Sequence, residues 1–340
     1  MFRQNFVASL WLATLFILVG CSGNTLPVVH LQGKTMGTTY NVKYVVAEQG
    51  EINGLQEQID LRLAQINKLM STYDPTSELS RFNQNRFTDP VTLSKETSAV
   101  IAEALRLGEL SNGVLDITVG PLVNLWGFGP NKRPERTPDN ETISAVREYV
   151  GLDKIKLNGT TLKKLHPMVY VDLSTIAKGY GVDEVVAILE DNGLKNYLVE
   201  IGGEMRVSGH RGNGKEWLIA IEKPVSNERN VQRIVSIGEH AIATSGDYRN
   251  FYEQDGVRYS HLIDPRTGKP IQHNLVSVTV VDKSSMTADG LATAFNVIGW
   301  NEAKALAEEY KLAVYLIRKN AGEFEEYASE EFNRIVEMHD

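Results

Sequence analysis

The sequence predicts an α+β fold: a single intertwined domain of mixed and antiparallel sheets with packed helices. Three observations carry this. Between Val207 and Val281 short strand-like runs alternate with turns, the pattern of antiparallel sheet. Helical periodicities precede that region and follow it. No internal repeat, low-complexity tract or clear linker interrupts the chain after residue 34, although two lobes stay open as an arrangement. With 340 residues, 42% of them hydrophobic, the chain is long and apolar enough for one large or two ordinary domains.

Residues 1–20 read as a lipoprotein signal peptide. Arg3 supplies a short positive segment, and Phe6 to Val19 is mostly apolar but shorter than the roughly 20 residues of a spanning helix. The run ends Leu18-Val19-Gly20-Cys21, the form of a lipobox, with cleavage before Cys21 and acylation of its thiol and amine, palmitate included. The alternative is a secretory signal followed by an incidental cysteine. Cys21 is the only cysteine, which excludes an intrachain disulfide framework and a cysteine metal site. Several acyl chains anchor a protein stably where one binds marginally. The prediction is a bacterial membrane lipoprotein facing the periplasm, the inner membrane favoured over the outer. Residues 21–33, rich in Ser, Gly, Asn and Pro, form the lipidated tether, and residues 34–340 the folded domain.

Within the domain, Thr38 to Ala47 alternates like a strand. Ile52, Leu55, Ile59, Leu63, Ile66 and Met70 follow helical spacing over about five turns. Ser71 to Arg86 is a polar loop. Ser94 N-caps a helix from Lys95 to Leu110, closed by Asn112-Gly113. Asp116 to Val119 is strand-like, and Gly120-Pro121 breaks it. Thr137-Pro138 starts another helix, with Pro at its favoured first position. Asn158-Gly159 is a hairpin signal. Val169 and Val171 read as a short strand that runs through a tight turn into a helix with apolar positions at Ile176, Val182, Val185, Val186 and Leu189. Asn192-Gly193 caps that helix. Tyr197 to Ile201 is a strand, and Gly202-Gly203 permits close backbone approach. Strands at 217–222, 231–237, 241–244, 257–263 and 276–281 precede helices at 284–298 and 303–310 and a last strand at 312–317. The acidic tail from Glu323 reads as a solvated face.

The net charge of −8 disfavours nucleic acid as a partner. A nucleotide would then need a local cation or a metal to overcome the overall field. Three stretches offer such chemistry. In Val171-Asp172-Leu173-Ser174-Thr175-Ile176-Ala177-Lys178-Gly179-Tyr180-Gly181, a helix N-terminus and Lys178 suit phosphate, and Asp172 suits a ribose, ring or metal. An ordinary turn with a solvated lysine fits the same residues. In Thr287-Ala288-Asp289-Gly290-Leu291-Ala292-Thr293, Asp289 and Thr293 are four apart on one helix face, a carboxylate and a hydroxyl suited to a hard cation such as Mg²⁺. Asp289 is equally placed to act as a cap or dipole partner. In Ser260-His261-Leu262-Ile263-Asp264-Pro265, His261 precedes a turn and can act as a base near neutral pH.

The runs DLSTIAKGYGVD, SHLIDPRTG and TADGLATA, in this order and spacing, resemble the ApbE family of FAD:protein FMN transferases. Lys34-Thr35-Met36-Gly37-Thr38, Ser71-Thr72-Tyr73, Ser80-Arg81-Phe82-Asn83, Asp116-Ile117-Thr118-Val119-Gly120-Pro121 and Thr244-Ser245-Gly246-Asp247-Tyr248 add to the likeness, which spans residues 34–320. The resemblance implies that FAD, the substrate, is cleaved at its diphosphate. FMN then passes to a Thr or Ser hydroxyl of an acceptor flavoprotein, such as a subunit of a membrane redox-driven ion pump, and AMP leaves. It implies Mg²⁺ on Thr175, Asp289 and Thr293, and His261 as base. It places Met36, Tyr73, Val114, Leu115, Asp116, Asp172, Lys178, Ser245, Gly246 and Ile263 around the flavin nucleotide. Two positions depart from the family pattern: Ala292 stands where some members carry a second carboxylate, and Glu200 where members often carry Asn. An FAD pyrophosphatase and a non-catalytic flavin-binding lipoprotein are the competing readings.

Overall fold

The computed structural model describes residues 25–46, 50–130, 136–225, 230–247 and 250–339; the signal peptide and Cys21 lie outside the described residues. Its centre is an eight-stranded sheet. In spatial order the strands are Val28–Thr35, Thr38–Val45, Tyr197–Ile201, Glu204–Ser208, Ala241–Gly246, Leu275–Asp282, Ala313–Asn320 and Glu323–Ala328. Every strand pairing among the described residues is antiparallel. The α+β class therefore holds, and of the expected sheet types the described residues contain the antiparallel one.

Both faces of this sheet are covered, because successive side chains on a strand point to opposite sides. On Ala313–Asn320, Val314 and Leu316 enter the main core, whereas Ala313, Tyr315 and Ile317 enter a second one. Helices Leu55–Met70, Lys95–Leu110, Ala177–Asp191 and Ser285–Ile298 pack over the first face. A three-stranded sheet of Ile219–Glu222, Val231–Ser236 and Glu337–His339 covers the second with Trp217, Ile219, Ile221 and Val235.

Several local expectations give way. The tether does not extend to residue 33: Val28–Thr35 is the edge strand of the main sheet, paired with Thr38–Val45 through a two-residue turn at Met36-Gly37. Both turn residues have positive φ, 49° and 72°, the hairpin geometry that matches strand twist. The folded domain thus begins by Val28. The first helix starts at Leu55 rather than Ile52, because Gly54 ahead of it sits in the left-handed region at φ 75°. Asp116 to Val119 is a turn, not a strand: the Asp116 carboxylate accepts hydrogen bonds from the Thr118 N–H (2.7 Å) and hydroxyl (2.6 Å) and curls the chain. Gly120-Pro121, expected to break that strand, opens the helix Gly120–Leu125. Asp139, not Pro138, starts the next helix, its side chain accepting from Thr142 N–H. The acidic tail is not a solvated face. It forms the edge strand Glu323–Ala328 and a short helix whose Phe332 is fully buried, with Arg318 and Arg233 neutralising Glu325 and Glu326.

The segment at Val169 and Val171 belongs to no sheet. Both side chains are fully buried, so the backbone polar groups need other partners. His166 O accepts the Val169 N–H at 3.1 Å, and Asn83 serves Val171. Its side-chain amide donates to Val171 O and its carbonyl oxygen accepts from Val171 N–H, both at 2.8 Å. Asp172 N–H donates to Ile117 O at 2.7 Å. Replacing Asn83 with leucine should therefore destabilise the fold by about 1–3 kcal/mol for each of the two orphaned groups. Urea unfolding measures this, and an unchanged midpoint would contradict the clamp.

Candidate active site

Two helices meet where the central turn ends. Ala177–Asp191 has no side chain of its own capping its start. Instead Asp289, 110 positions further along the chain, accepts the Gly179 N–H on Oδ2 at 3.0 Å. The service is returned by Asp183 on the first helix. Its carboxylate accepts from Ser284 Oγ (2.8 Å), Ser285 N–H (3.0 Å) and Met286 N–H (3.0 Å) at the start of Ser285–Ile298. Each helix caps the other with an aspartate, and Arg206 holds Asp183 at 3.0 Å. The helices touch at Gly179, where an added Cβ would lie 2.2 Å from Ser285 O. Asp289 is therefore a cap, as one sequence reading allowed, but a cap on the other helix.

This junction floors a cavity of about 390 Å³. Tyr73, Val114, Leu115, Asp116, Asp172, Thr175, Lys178, Ser245, Gly246, His261, Ile263, Asp289 and Thr293 all line it. Met36 does not. It lines an adjoining cavity of about 530 Å³ that shares Tyr73, Asp172, Ser174 and Lys178 with the first. Its φ of 49° is a conformation bulky residues seldom adopt, imposed by the hairpin turn. Tyr73 stands 69% exposed at the shared rim, free to cover a planar ring. Val114, Leu115 and Ile263 are almost wholly buried and form walls.

The charges are concentrated. Lys178 Nζ lies 2.6 Å from Glu204 Oε1 and 3.7 Å from Asp289 Oδ1. Burial pulls the ammonium down, but Asp289 and Glu204 outweigh it and hold the lysine above its ordinary value. Burial pushes Glu204 up, the Lys178 ammonium in contact with it pulls it back down, and Asp289 adds to the rise. Asp289 is also raised by burial, and Lys178 and the Gly179 N–H oppose that. Burial raises Asp172 and Asp116 as well. Glu204 was not among the sequence candidates. The one local signal for it is its position directly after Gly202-Gly203, at the start of a strand. Glu200 has a structural part: its carboxylate accepts from Asn41 Nδ2 (2.7 Å) and Gly203 N–H (2.8 Å).

A hard divalent cation fits the donors present. Asp289 offers a carboxylate, Thr293 a hydroxyl, and the Thr175 hydroxyl is buried without a hydrogen-bond partner. All are oxygens, as Mg²⁺ requires. In the same cavity, His261 Nδ1 lies 2.9 Å from Asn250 O. A carbonyl only accepts, so Nδ1 carries the proton and Nε2 is left as the basic nitrogen. Burial lowers the imidazole below its ordinary 6.5, the Asn250 carbonyl opposes this, and Lys178 adds to the lowering. A run of aromatic contacts, Trp126–Tyr259, Tyr259–Tyr252, Tyr252–Phe128 and Phe128–His261 at 5.2–6.4 Å, fastens the hairpin that carries the histidine.

Known proteins resemble this chain over most of its length. The family model described as the ApbE family matches residues 36–316. The FAD:protein FMN transferase of Vibrio cholerae serotype O1 is 52% identical over 326 residues, 96% of this chain and 97% of that protein. The FAD:protein FMN transferase of Haemophilus influenzae is 48% identical, with 94% of each chain covered. Among solved structures, the flavin transferase ApbE from Vibrio cholerae superposes with a TM-score of 0.86 at 52% identity, covering 91% of this chain and 99% of that one. The ApbE protein of Thermotoga maritima, 30% identical, reaches 0.79 over 91% of this chain and 99% of its own. The chain belongs to the ApbE family.

Proposed function

We propose that this cavity binds FAD together with Mg²⁺ and transfers the FMN half to a Thr or Ser hydroxyl of an acceptor flavoprotein. The observation that carries the reading is the meeting in one cavity of an oxygen donor set, a half-buried lysine and a histidine with a free basic nitrogen. The acceptor oxygen attacks the FMN phosphorus, the bond from that phosphorus to the bridging oxygen breaks, and AMP departs. The hydroxyl proton passes to His261 Nε2. Thr175, Asp289 and Thr293 would hold the cation, which when bound neutralises diphosphate charge. Lys178 adds a positive charge facing the same oxygens. The buried walls of Val114, Leu115 and Ile263 limit the access of water to the phosphorus.

Incubation with FAD, Mg²⁺ and an acceptor domain carrying an exposed threonine tests this. Mass spectrometry should find FMN added to the acceptor and AMP released. Free FMN with an unmodified acceptor would make the protein a pyrophosphatase instead. His261→Ala should lower transfer about a hundred- to ten-thousandfold. The neutral imidazole is the active form, and burial lowers it below its ordinary 6.5, so the rate should rise with pH along an acidic limb centred below 6.5. An acidic limb centred above 7 would count against His261.

The same proposal extends to the cell. Cys21 carries the lipid, and the enzyme works on the periplasmic side of the membrane beside acceptors such as subunits of redox-driven ion pumps. Intact-mass analysis of the mature protein should show acyl chains on Cys21 and none in Cys21→Ser; an unmodified cysteine would remove the anchor.

A further inference from the structure

Glu204 is 4% exposed, and its second oxygen, Oε2, is buried without a hydrogen-bond partner. The backbone leading to it is tightly set. Glu200 ties down the Gly203 N–H, and Gly202 adopts φ 61°. The lysine stem runs beside that glycine: a Cβ on Gly202 would lie 3.5 Å from Lys178 Cδ and 2.9 Å from Thr38 Cγ2. One ammonium is thus led between two buried carboxylates and is in contact with one of them. It sits 2.6 Å from Glu204 and 3.7 Å from Asp289.

That asymmetry has a consequence for the cation. A buried carboxylate without a counter-charge is unfavourable, so both acids attract the ammonium. Both acids line the cavity with Thr175 and Thr293, but Asp289 stands one helical turn from Thr293 on the same helix and is the carboxylate grouped with a hydroxyl donor. If Lys178 closed onto it, the internal ion pair would occupy the oxygen a divalent cation needs. We propose that Glu204 is a positioning residue that holds the Lys178 ammonium off Asp289, keeping the aspartate open to a divalent cation and the ammonium aimed into the nucleotide cavity. This rests on the metal reading of the site given above. It also separates two roles for negative charge here: Asp289 faces the metal, and Glu204 faces the lysine.

The experiment is Mn²⁺ binding to the folded protein, followed by electron paramagnetic resonance of the free ion, without nucleotide and with ADP. Glu204→Gln preserves shape and removes the charge. It should weaken Mn²⁺ binding about ten- to a hundredfold, the usual effect of losing an outer partner of a metal ligand. Lys178→Met should tighten Mn²⁺ binding without nucleotide. The double variant Glu204→Gln/Lys178→Met should bind Mn²⁺ at least as well as the parent without nucleotide, because no ammonium is left to block Asp289. Unchanged binding in Glu204→Gln overturns the proposal. So does a double variant as weak as Glu204→Gln, which would make Glu204 a direct ligand or a purely structural residue. If Glu204→Gln fails to fold, Lys178→Met decides: tighter binding supports the proposal, and equal or weaker binding overturns it. A parent protein that binds no Mn²⁺ with or without ADP removes the metal reading itself, and this proposal with it.

Discussion

Asp289→Asn is expected to cut flavin transfer by about a hundred- to a thousandfold, the scale seen when a preorganised electrostatic contact to a reacting group is lost. The substitution is close to isosteric. An asparagine oxygen can still accept the Gly179 N–H, now at 3.0 Å from Asp289 Oδ2, so the cross-chain cap survives. The negative charge that faces the cation does not. Lys178 keeps Glu204 as its partner at 2.6 Å, so no buried cation is stranded. Because a neutral amide escapes the burial penalty of a carboxylate, the thermal midpoint should not fall. Transfer rates at saturating FAD, over a Mg²⁺ titration, make the measurement, and higher Mg²⁺ should recover part of the loss. Turnover near the parent rate at low Mg²⁺ would show that Asp289 serves only as a helix cap.

Gly179→Ala should damage both stability and activity. The new Cβ would lie 2.2 Å from Ser285 O, 2.6 Å from Ser285 C and 2.7 Å from Met286 Cα. These are backbone atoms in the first turn of a buried helix and cannot rotate away. The helices must separate, which stretches the Gly179–Asp289 bond and the three bonds from Asp183. Overpacking of this kind costs about 1–3 kcal/mol. Alanine's better helix propensity returns at most about 1 kcal/mol. A lower urea midpoint together with weakened Mn²⁺ binding is expected. A variant as stable as the parent, with normal transfer, would mean the two helices are not held in register by their close contact.

The longer helices were legible in the sequence because amphipathic periodicity is a local property, whereas the short ones Glu78–Gln84, Gly120–Leu125 and Glu330–Ile335 were not. Leu55, Ile59, Leu63, Ile66 and Met70 are buried along one stripe, as their spacing requires. The strand at Val28–Thr35 was not legible: most of its inward positions are only half-buried, and it follows a run of polar and small residues. Val169 and Val171 have the composition of a strand, but the Val171 backbone is claimed by Asn83, a side chain far away in sequence, and the Val169 N–H by His166 O. Asp116 likewise lost its strand to its own carboxylate, which bonds Thr118. Side-chain capture of this kind leaves no periodic trace.

For the site, residue chemistry was readable and residue pairing was not. Lys178, His261, Asp289 and the threonines stand out in the chain because their types and neighbours suit phosphate, proton and cation. Motif order carried the family, since linear spacing preserves it. Which partner each charge has depends on contacts across more than a hundred positions, such as Asp289 with Gly179 and Asp183 with Ser284. Glu204 became visible through folding, because a sheet strand and a helix start had to converge before its carboxylate met Lys178. Local patterning encodes what a residue can do; burial and long-range packing choose what it meets, since desolvation makes each charge's nearest neighbour decisive.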